Sequence, residues 1–416
     1  MRKKILLKGP VLSQSGYGEH TRFALRALRL RESDVDLHIL PTGWGQTGWI
    51  ADNSEEREWI DSKIKETIPY LKSGGHYDIS VQVTIPNEWE KIAQKDIGVT
   101  AGIETNKVSP LWLHRSNFMN KIITISEHSK KGFETIYRGV DPEKGDSIEL
   151  GCNIPVEVAQ YPVKTFKNTK DLDLSLKYDF NYLTVAQWGP RKNVENTIRW
   201  FIEENYDQEV GLVIKMSLKN NSVVDREYTM RRLLSCIPEV EDCKCKVYLL
   251  HGDMSEQEMH SLYQHPKIKC MISLSHGEGF GLPLFEAAYS GLPIIAPGWS
   301  GHCDFLYMPN TKNAKKNKMK CMFADVDFHI APVPKQSLWK DVIEEDMVWC
   351  FPTEGSYKLR LRQVRKNYDK WLKRSKELQT WILKEFEKNK KTQQFCDLLL
   401  GESNEASAAG IKVFSV

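Results

Sequence analysis

A chain of 416 residues, 41% hydrophobic and 10% aromatic, has enough apolar material for two ordinary globular cores. Its formal charge of +3 is close to balance, so no whole-protein field argues for nucleic acid or a membrane surface; the basic residues gather locally, at 312–320 and 358–391. Nine cysteines lack any CxxC pair and the apolar run near Met1 is too short for a signal peptide, which argues against zinc and a secreted disulfide framework and for reduced thiols in a cytoplasmic protein.

Residues 5–7 read as a first strand, 9–18 as a loop rich in Gly and Ser, and 19–30 as a helix with Phe23, Ala24, Ala27, Leu28 and Leu30 on its apolar side. Strands follow at 37–40, 78–83, 96–101 and 121–126, an alternation that predicts a doubly wound α/β domain over 1–165. Around 150–175 the pattern loosens into a polar stretch, the expected interdomain connection. A second series at 182–186, 210–216, 247–250, 270–274 and 292–296 predicts another α/β domain over 166–355. Two such domains in series suit a cleft enzyme whose substrates meet at the seam. Val364, Tyr368, Trp371, Ser375, Leu378, Ile382 and Phe386 recur three or four apart, which predicts one long amphipathic helix within 356–400. A basic membrane-surface helix is the alternative reading of that pattern. No run approaches about 18 apolar residues, so no transmembrane helix is expected, and 401–416 read as a frayed tail.

The densest information lies at 275–288. An apolar strand runs into Gly277, Gly279 and Gly281, interleaved with Glu278 and Phe280, and Pro283 then opens a helix that ends at Gly291. Amides at such a helix start point at whatever anion or hydroxyl sits above the strand. Ionised Glu278 and Glu286 are acceptors suited to sugar hydroxyls.

This Glu-x7-Glu spacing, with Gly-Phe-Gly-Leu-Pro inside it and Ser290 to Ala296 as helix stop and next strand, closely resembles the retaining glycosyltransferases of family 4. The resemblance implies a GT-B fold: two Rossmann-like domains facing a cleft, the first on the acceptor side and the second binding a nucleotide sugar, with a C-terminal helix crossing back. It implies transfer from a UDP- or GDP-sugar with retention of configuration, and no bound cofactor or metal. Glu286 would take the ribose hydroxyls, Glu278 with the backbone of Gly279, Phe280 and Gly281 the transferred sugar, and the Leu284 amide the ribose or phosphate. Lys192 matches the family lysine; the arginine that many members carry five residues earlier is Gln187 here, which leaves adjacent Arg191 as the candidate second cation. Gly16, in the loop 13–19, would approach the donor phosphate. Gly252 and Asp253, with His251 and Met254, would lie beside the nucleobase. Glu104 would orient donor or acceptor, with a solvated loop carboxylate as the equal alternative.

His276 and His302 read as structural hydrogen bonders. The Asp-x-Asp strings at Asp34, Asp171 and Asp325 read as solvated carboxylates rather than metal ligands. A glycan or glycolipid is the expected acceptor, with possible peripheral membrane contact. A hydroxymethylated DNA base served by the basic stretches, or a non-catalytic sugar-nucleotide-binding role on the same fold, are the alternatives.

Overall fold

β-branched and aliphatic runs broken by short polar turns build two parallel sheets. The computed structural model describes residues 2–44, 48–51, 53–140, 145–310 and 318–401. In the first lobe β1 (Lys3–Gly9), α1 (Gly16–Arg29), β2 (Val35–Pro41), α2 (Glu55–Lys72), β3 (Ile79–Val83) and β4 (Lys95–Thr100) come first. They are followed by α3 (Pro110–Ser116), β5 (Lys121–Thr124), α4 (Glu127–Gly132), the hairpin β6 (Tyr137–Val140) and β7 (Ser147–Leu150), and β8 (Val156–Val158). The sheet order is β2-β1-β3-β4-β5-β8, all parallel. Ile5, Leu7, Val81, Val83, Ile97, Val99 and Ile123 are buried there, as strands covered on both faces require.

The second lobe repeats the plan with β9 (Asn181–Gln187), α5 (Val194–Asn205), β10 (Gly211–Ser217), α6 (Val223–Ser235), β11 (Lys246–Leu250) and α7 (Glu256–Tyr263). Next come β12 (Ile268–Ile272), α8 (Leu282–Tyr289), β13 (Ile294–Pro297), α9 (Cys303–Leu306), the hairpin β14 (Tyr307–Pro309) and β15 (Met319–Cys321), and β16 (Ala324–Val326). Its order is β11-β10-β9-β12-β13-β16, again parallel. A hairpin, β17 (Phe328–Pro332) and β18 (Val348–Pro352), and the helices α10 (Glu354–Lys366), α11 (Tyr368–Glu385) and α12 (Lys388–Leu400) complete the described chain.

Three differences from the sequence reading have local causes. Helix α1 starts at Gly16 rather than 19, because the Ser15 hydroxyl caps the Gly18 amide at 3.0 Å. The loosened stretch contains β8, which joins the first sheet beside β5. The single long C-terminal helix is corrected to three, broken at Asn367 (φ −122°, ψ 42°) and at Phe386 (φ −104°, ψ 28°). Asn favours such breaks because its side chain competes for backbone partners. Helix α10 packs on α5, with Lys358 paired to Glu203 at 2.7 Å, and α11 on α8, with the Ser375 hydroxyl donating to Gly291 C=O at 2.8 Å. Only α12 crosses to the first lobe, where Phe395 meets Phe23 of α1 with ring centroids 4.7 Å apart. Most of the basic stretch 312–320, and all of 402–416, lie outside the described residues. No described helix is long and apolar enough to cross a membrane.

At two of the joins between the lobes, chain crosses from one lobe to the other. At one, the linker after β8 runs beside the return to α12, with the Val163 amide donating to Phe386 C=O at 2.8 Å. At the other, the connection between β17 and β18 reaches over to the first lobe. There Ser109 Oγ and Asn87 Nδ2 donate to Asp341 C=O at 2.7 and 3.2 Å, Lys107 pairs with Asp346, and Val342 is buried against Ile85 and Trp112.

Candidate active site

The C-terminal ends of both sheets face one cleft of about 1060 Å³. In the second sheet β9 lies between β10 and β12, so the strand order reverses beside it; such a switch point is where open α/β sheets take ligands. The loops above the two sheets touch. A Cβ on Gly277 would stand 2.1 Å from Glu104 C=O and one on Gly279 2.3 Å from Ala101 C=O, so side chains at either position would push the lobes apart. Ser126 Oγ donates to Gly279 C=O at 2.6 Å across the same contact.

A chain of charges crosses this seam. Pro190–Lys192 forms a tight turn after β9, and Asn193 takes a left-handed conformation (φ +52°) to enter α5. The turn aims both cations at the loop after β12. Lys192 Nζ lies 2.6 Å from one oxygen of Glu278, and Arg191 Nη1 lies 3.2 Å from the other while donating to Gly277 C=O at 2.5 Å. Arg191 Nη2 also pairs at 3.0 Å with Glu104, which comes from the loop after β4 in the first lobe. Glu104 is therefore a cleft residue tied to Arg191, and not a solvated loop carboxylate. Burial would raise the Glu278 carboxyl, but Lys192 and Arg191 outweigh it and hold it down at about 2. Burial and the neighbouring Arg191 lower Lys192, against the pull of Glu278.

Glu286, one turn into α8, has a different setting. Tyr263 on α7 donates to it at 3.0 Å, and burial pushes its carboxyl up to about 7 against the opposing charge of Lys164. Lys164 comes from the linker and pairs with Glu19 of α1 at 3.0 Å and with Glu256 of α7 at 2.7 Å. A single lysine thus ties both lobes beside Glu286, and as one of three lysines in a polar run, with Lys167 and Lys170, it gave no sign in the sequence.

Across the cleft, Gly16 opens α1 and has no atom within 4 Å of a would-be Cβ, so the helix start faces open space. Gly18 does the packing, since a Cβ there would stand 1.9 Å from Ser13 C=O. Gly279, Phe280 and Gly281 line the cleft. The Phe280 ring is packed against Tyr161, Phe285 and Phe305, which leaves its main chain for a ligand. Leu284 is buried and borders a side cavity with Lys192 and Glu278 rather than the main cleft. Asp253 lines the cleft at the end of β11; Gly252 does not, but its C=O accepts from Lys215 Nζ at 2.5 Å. Lys215 on β10 is a cleft cation with no motif around it. Trp44, packed at a tilt on Tyr17 with centroids 4.6 Å apart, and Trp339 and Ile343 from the β17–β18 connection add an aromatic and apolar wall.

The remaining candidates sit elsewhere. Gln187 donates to Leu218 C=O at 3.2 Å at the cleft edge. His276 and His302 are buried on the carbonyls of Cys350 (2.8 Å) and Pro297 (2.7 Å), and His251 pairs with Asp225 at 3.0 Å. Of the Asp-x-Asp strings, Asp34 and Asp36 pair with Arg31 and Lys4 at the far edge of the first sheet. Asp325 is half-buried, not solvated, and accepts from Tyr307 at 3.4 Å. Among the described residues no three His, Cys, Asp or Glu side chains are grouped to hold a metal.

Residues 177–320 match the family of "Glycosyl transferases group 1". "Putative glycosyltransferase 48" of Sulfolobus islandicus filamentous virus (isolate Iceland/Hveragerdi) is 28% identical over 152 residues, covering 36% of this chain and 46% of that protein, so the match spans about half of its length. Among solved structures, Anabaena HepE in complex with UDP and glucose aligns over 96% of this chain and 99% of its own, with a TM-score of 0.56 at 13% identity. Sucrose-phosphate synthase from Thermosynechococcus elongatus aligns over 98% and 100%, with a TM-score of 0.58 at 12% identity. The chain has the GT-B fold, and its second lobe carries the match to the group 1 glycosyl transferases.

Proposed function

We propose that the chain is a glycosyltransferase that moves a sugar from a nucleotide-sugar donor to an acceptor hydroxyl, on a glycan or glycolipid, with retention of configuration. One observation carries this reading. Arg191 and Lys192, on the turn after β9, converge with Glu278, after β12, at the switch point and opposite the open start of α1. Cations, a carboxylate and free amides around one crevice are what an activated sugar diphosphate needs.

In this reading the donor diphosphate takes Lys192 and Arg191 from Glu278, with the α1 amides at Gly16 on its other side. The carboxylate so released accepts from hydroxyls of the sugar, alongside the main chain of Gly279, Phe280 and Gly281. Glu286 accepts from the ribose hydroxyls, and the Leu284 amide in the first turn of α8 supports the diphosphate. Glu104 keeps Arg191 in place as the phosphate leaves. The bond between the anomeric carbon and the phosphate oxygen breaks while the acceptor oxygen bonds to that carbon on the same face, and the acceptor proton passes to the departing phosphate. Charge growing on that phosphate meets fixed cations, which stabilise the transition state more than the ground state. No divalent ion is required in this scheme. The test is release of free nucleotide from a panel of nucleotide sugars, with and without glycan acceptors. Turnover that survives both Lys192→Ala and Glu286→Gln would remove the site assignment, and binding without any turnover would favour a non-catalytic protein.

A further inference from the structure

We infer that the donor's base is guanine, an inference that rests on the nucleotide-sugar reading of this cleft. With the diphosphate at Arg191 and Lys192 and the ribose at Glu286, the base is directed along the strand ends away from β12, towards β10 and β11. The cleft wall there consists of Lys215, Ser217, Asn221, Asp253 and Met254. Lys215 is fixed: it is 9% exposed, with its ammonium on Gly252 C=O at 2.5 Å. The neighbouring Asp253 is exposed to the cleft, and Asn221 Nδ2 steadies one of its oxygens at 2.6 Å. A held cation beside a held carboxylate is a directional pair.

The four common bases answer that pair differently. Guanine presents the O6 acceptor next to two donors, N1–H and N2–H2, so the ammonium meets O6 and the carboxylate takes both donors. Uracil flanks its one N–H with two carbonyls, and a carboxylate facing that edge meets at least one oxygen lone pair. Cytosine and adenine each set a ring-nitrogen acceptor beside their amine, where guanine has a second donor. A base edge that sets an oxygen lone pair against the Asp253 carboxylate is repelled, and one that gives buried Lys215 no acceptor forgoes a charge-assisted hydrogen bond. Met254 and Met259, on the same wall, supply a polarisable apolar face broad enough for a purine.

The experiment is calorimetric titration of the full chain with GDP, UDP, CDP and ADP at pH 8. GDP is expected to bind at least about tenfold more tightly than the other three, and Asp253→Asn to bring GDP to within about threefold of UDP. Melting temperature serves as the folding control, since Asp253 lies on an exposed loop. UDP binding as tightly as GDP, or a GDP preference untouched by Asp253→Asn, overturns the guanine assignment and leaves the nucleotide-sugar reading standing. If none of the four nucleotides binds, that reading falls and this inference with it.

Discussion

Glu278 and Glu286 stand eight residues apart on either side of one turn, and their surroundings pull them in opposite directions. Glu278 lies between two cations from another loop and is held at about 2; Glu286 lies under Tyr263 with Lys164 as its nearest compensation and is raised to about 7. The same residue type, in one motif, therefore gives one carboxylate that is charged at every working pH and one that titrates near neutrality. Burial acts on both, and the number and closeness of cations decides the outcome.

The most severe way to break this contrast is Lys192→Ala. It leaves Glu278 with Arg191 alone and removes a cation from the proposed leaving group, so kcat should fall by about two to three orders of magnitude in a nucleotide-release assay. Glu286→Gln comes next: the ribose loses its charged acceptor, and donor affinity by calorimetry should drop roughly 10- to 100-fold. In the native protein that affinity should rise about tenfold from pH 6 to pH 8 as Glu286 ionises, with an inflection near 7 that Glu286→Gln lacks.

Stability offers a smaller signal of defined sign. The folded value of about 7 lies above the ordinary 4.5, so the native state holds an extra proton between them, and stability falls as pH rises through that window. Glu286→Gln should therefore be more stable than the native protein at pH 8, by about 1–3 kcal/mol in denaturant unfolding after discounting for its opening to the cleft, and equally stable below about pH 4.5. Lys164→Met should move the binding inflection upward, because Lys164 is the cation that opposes the raised value. An unmoved inflection would assign Glu286's state to Tyr263 instead.

Much of this architecture is written in short-range pattern. Both series of strands show as apolar runs, and Gly277, Gly279 and Gly281 between strand and Pro283 announce the loop that the lobes share. Lys192 and Glu278, 86 residues apart, come together because each ends a neighbouring strand, which a strand-by-strand reading can anticipate. Other features have no local signal. Helix α2 buries little beyond Ile60 and Thr67 and contains Pro69, so its apolar stripe is too thin to read. The break at Asn367 is invisible because the apolar spacing continues across it. Lys164 acquires its meaning from Glu19 and Glu256, one in each lobe, and Val342 and Ile343 acquire theirs from a first-lobe surface more than 200 residues away in sequence. Tertiary contact, not propensity, defines these positions.

The span between β17 and β18 carries a mechanical corollary. A body pinned to another at two separate points retains a single rotational freedom, about the line through both pins. With Asp341 and Asp346 fastened at one place and α12 with the incoming linker at the other, any gaping that preserves both is a rocking about that line, and it has to part the Ser126–Gly279 and Glu104–Arg191 contacts at the seam. Opening of that kind leaves Ser109 and Asn87 on Asp341 and Lys107 on Asp346, so the arm bearing Trp339 stays seated on the first lobe.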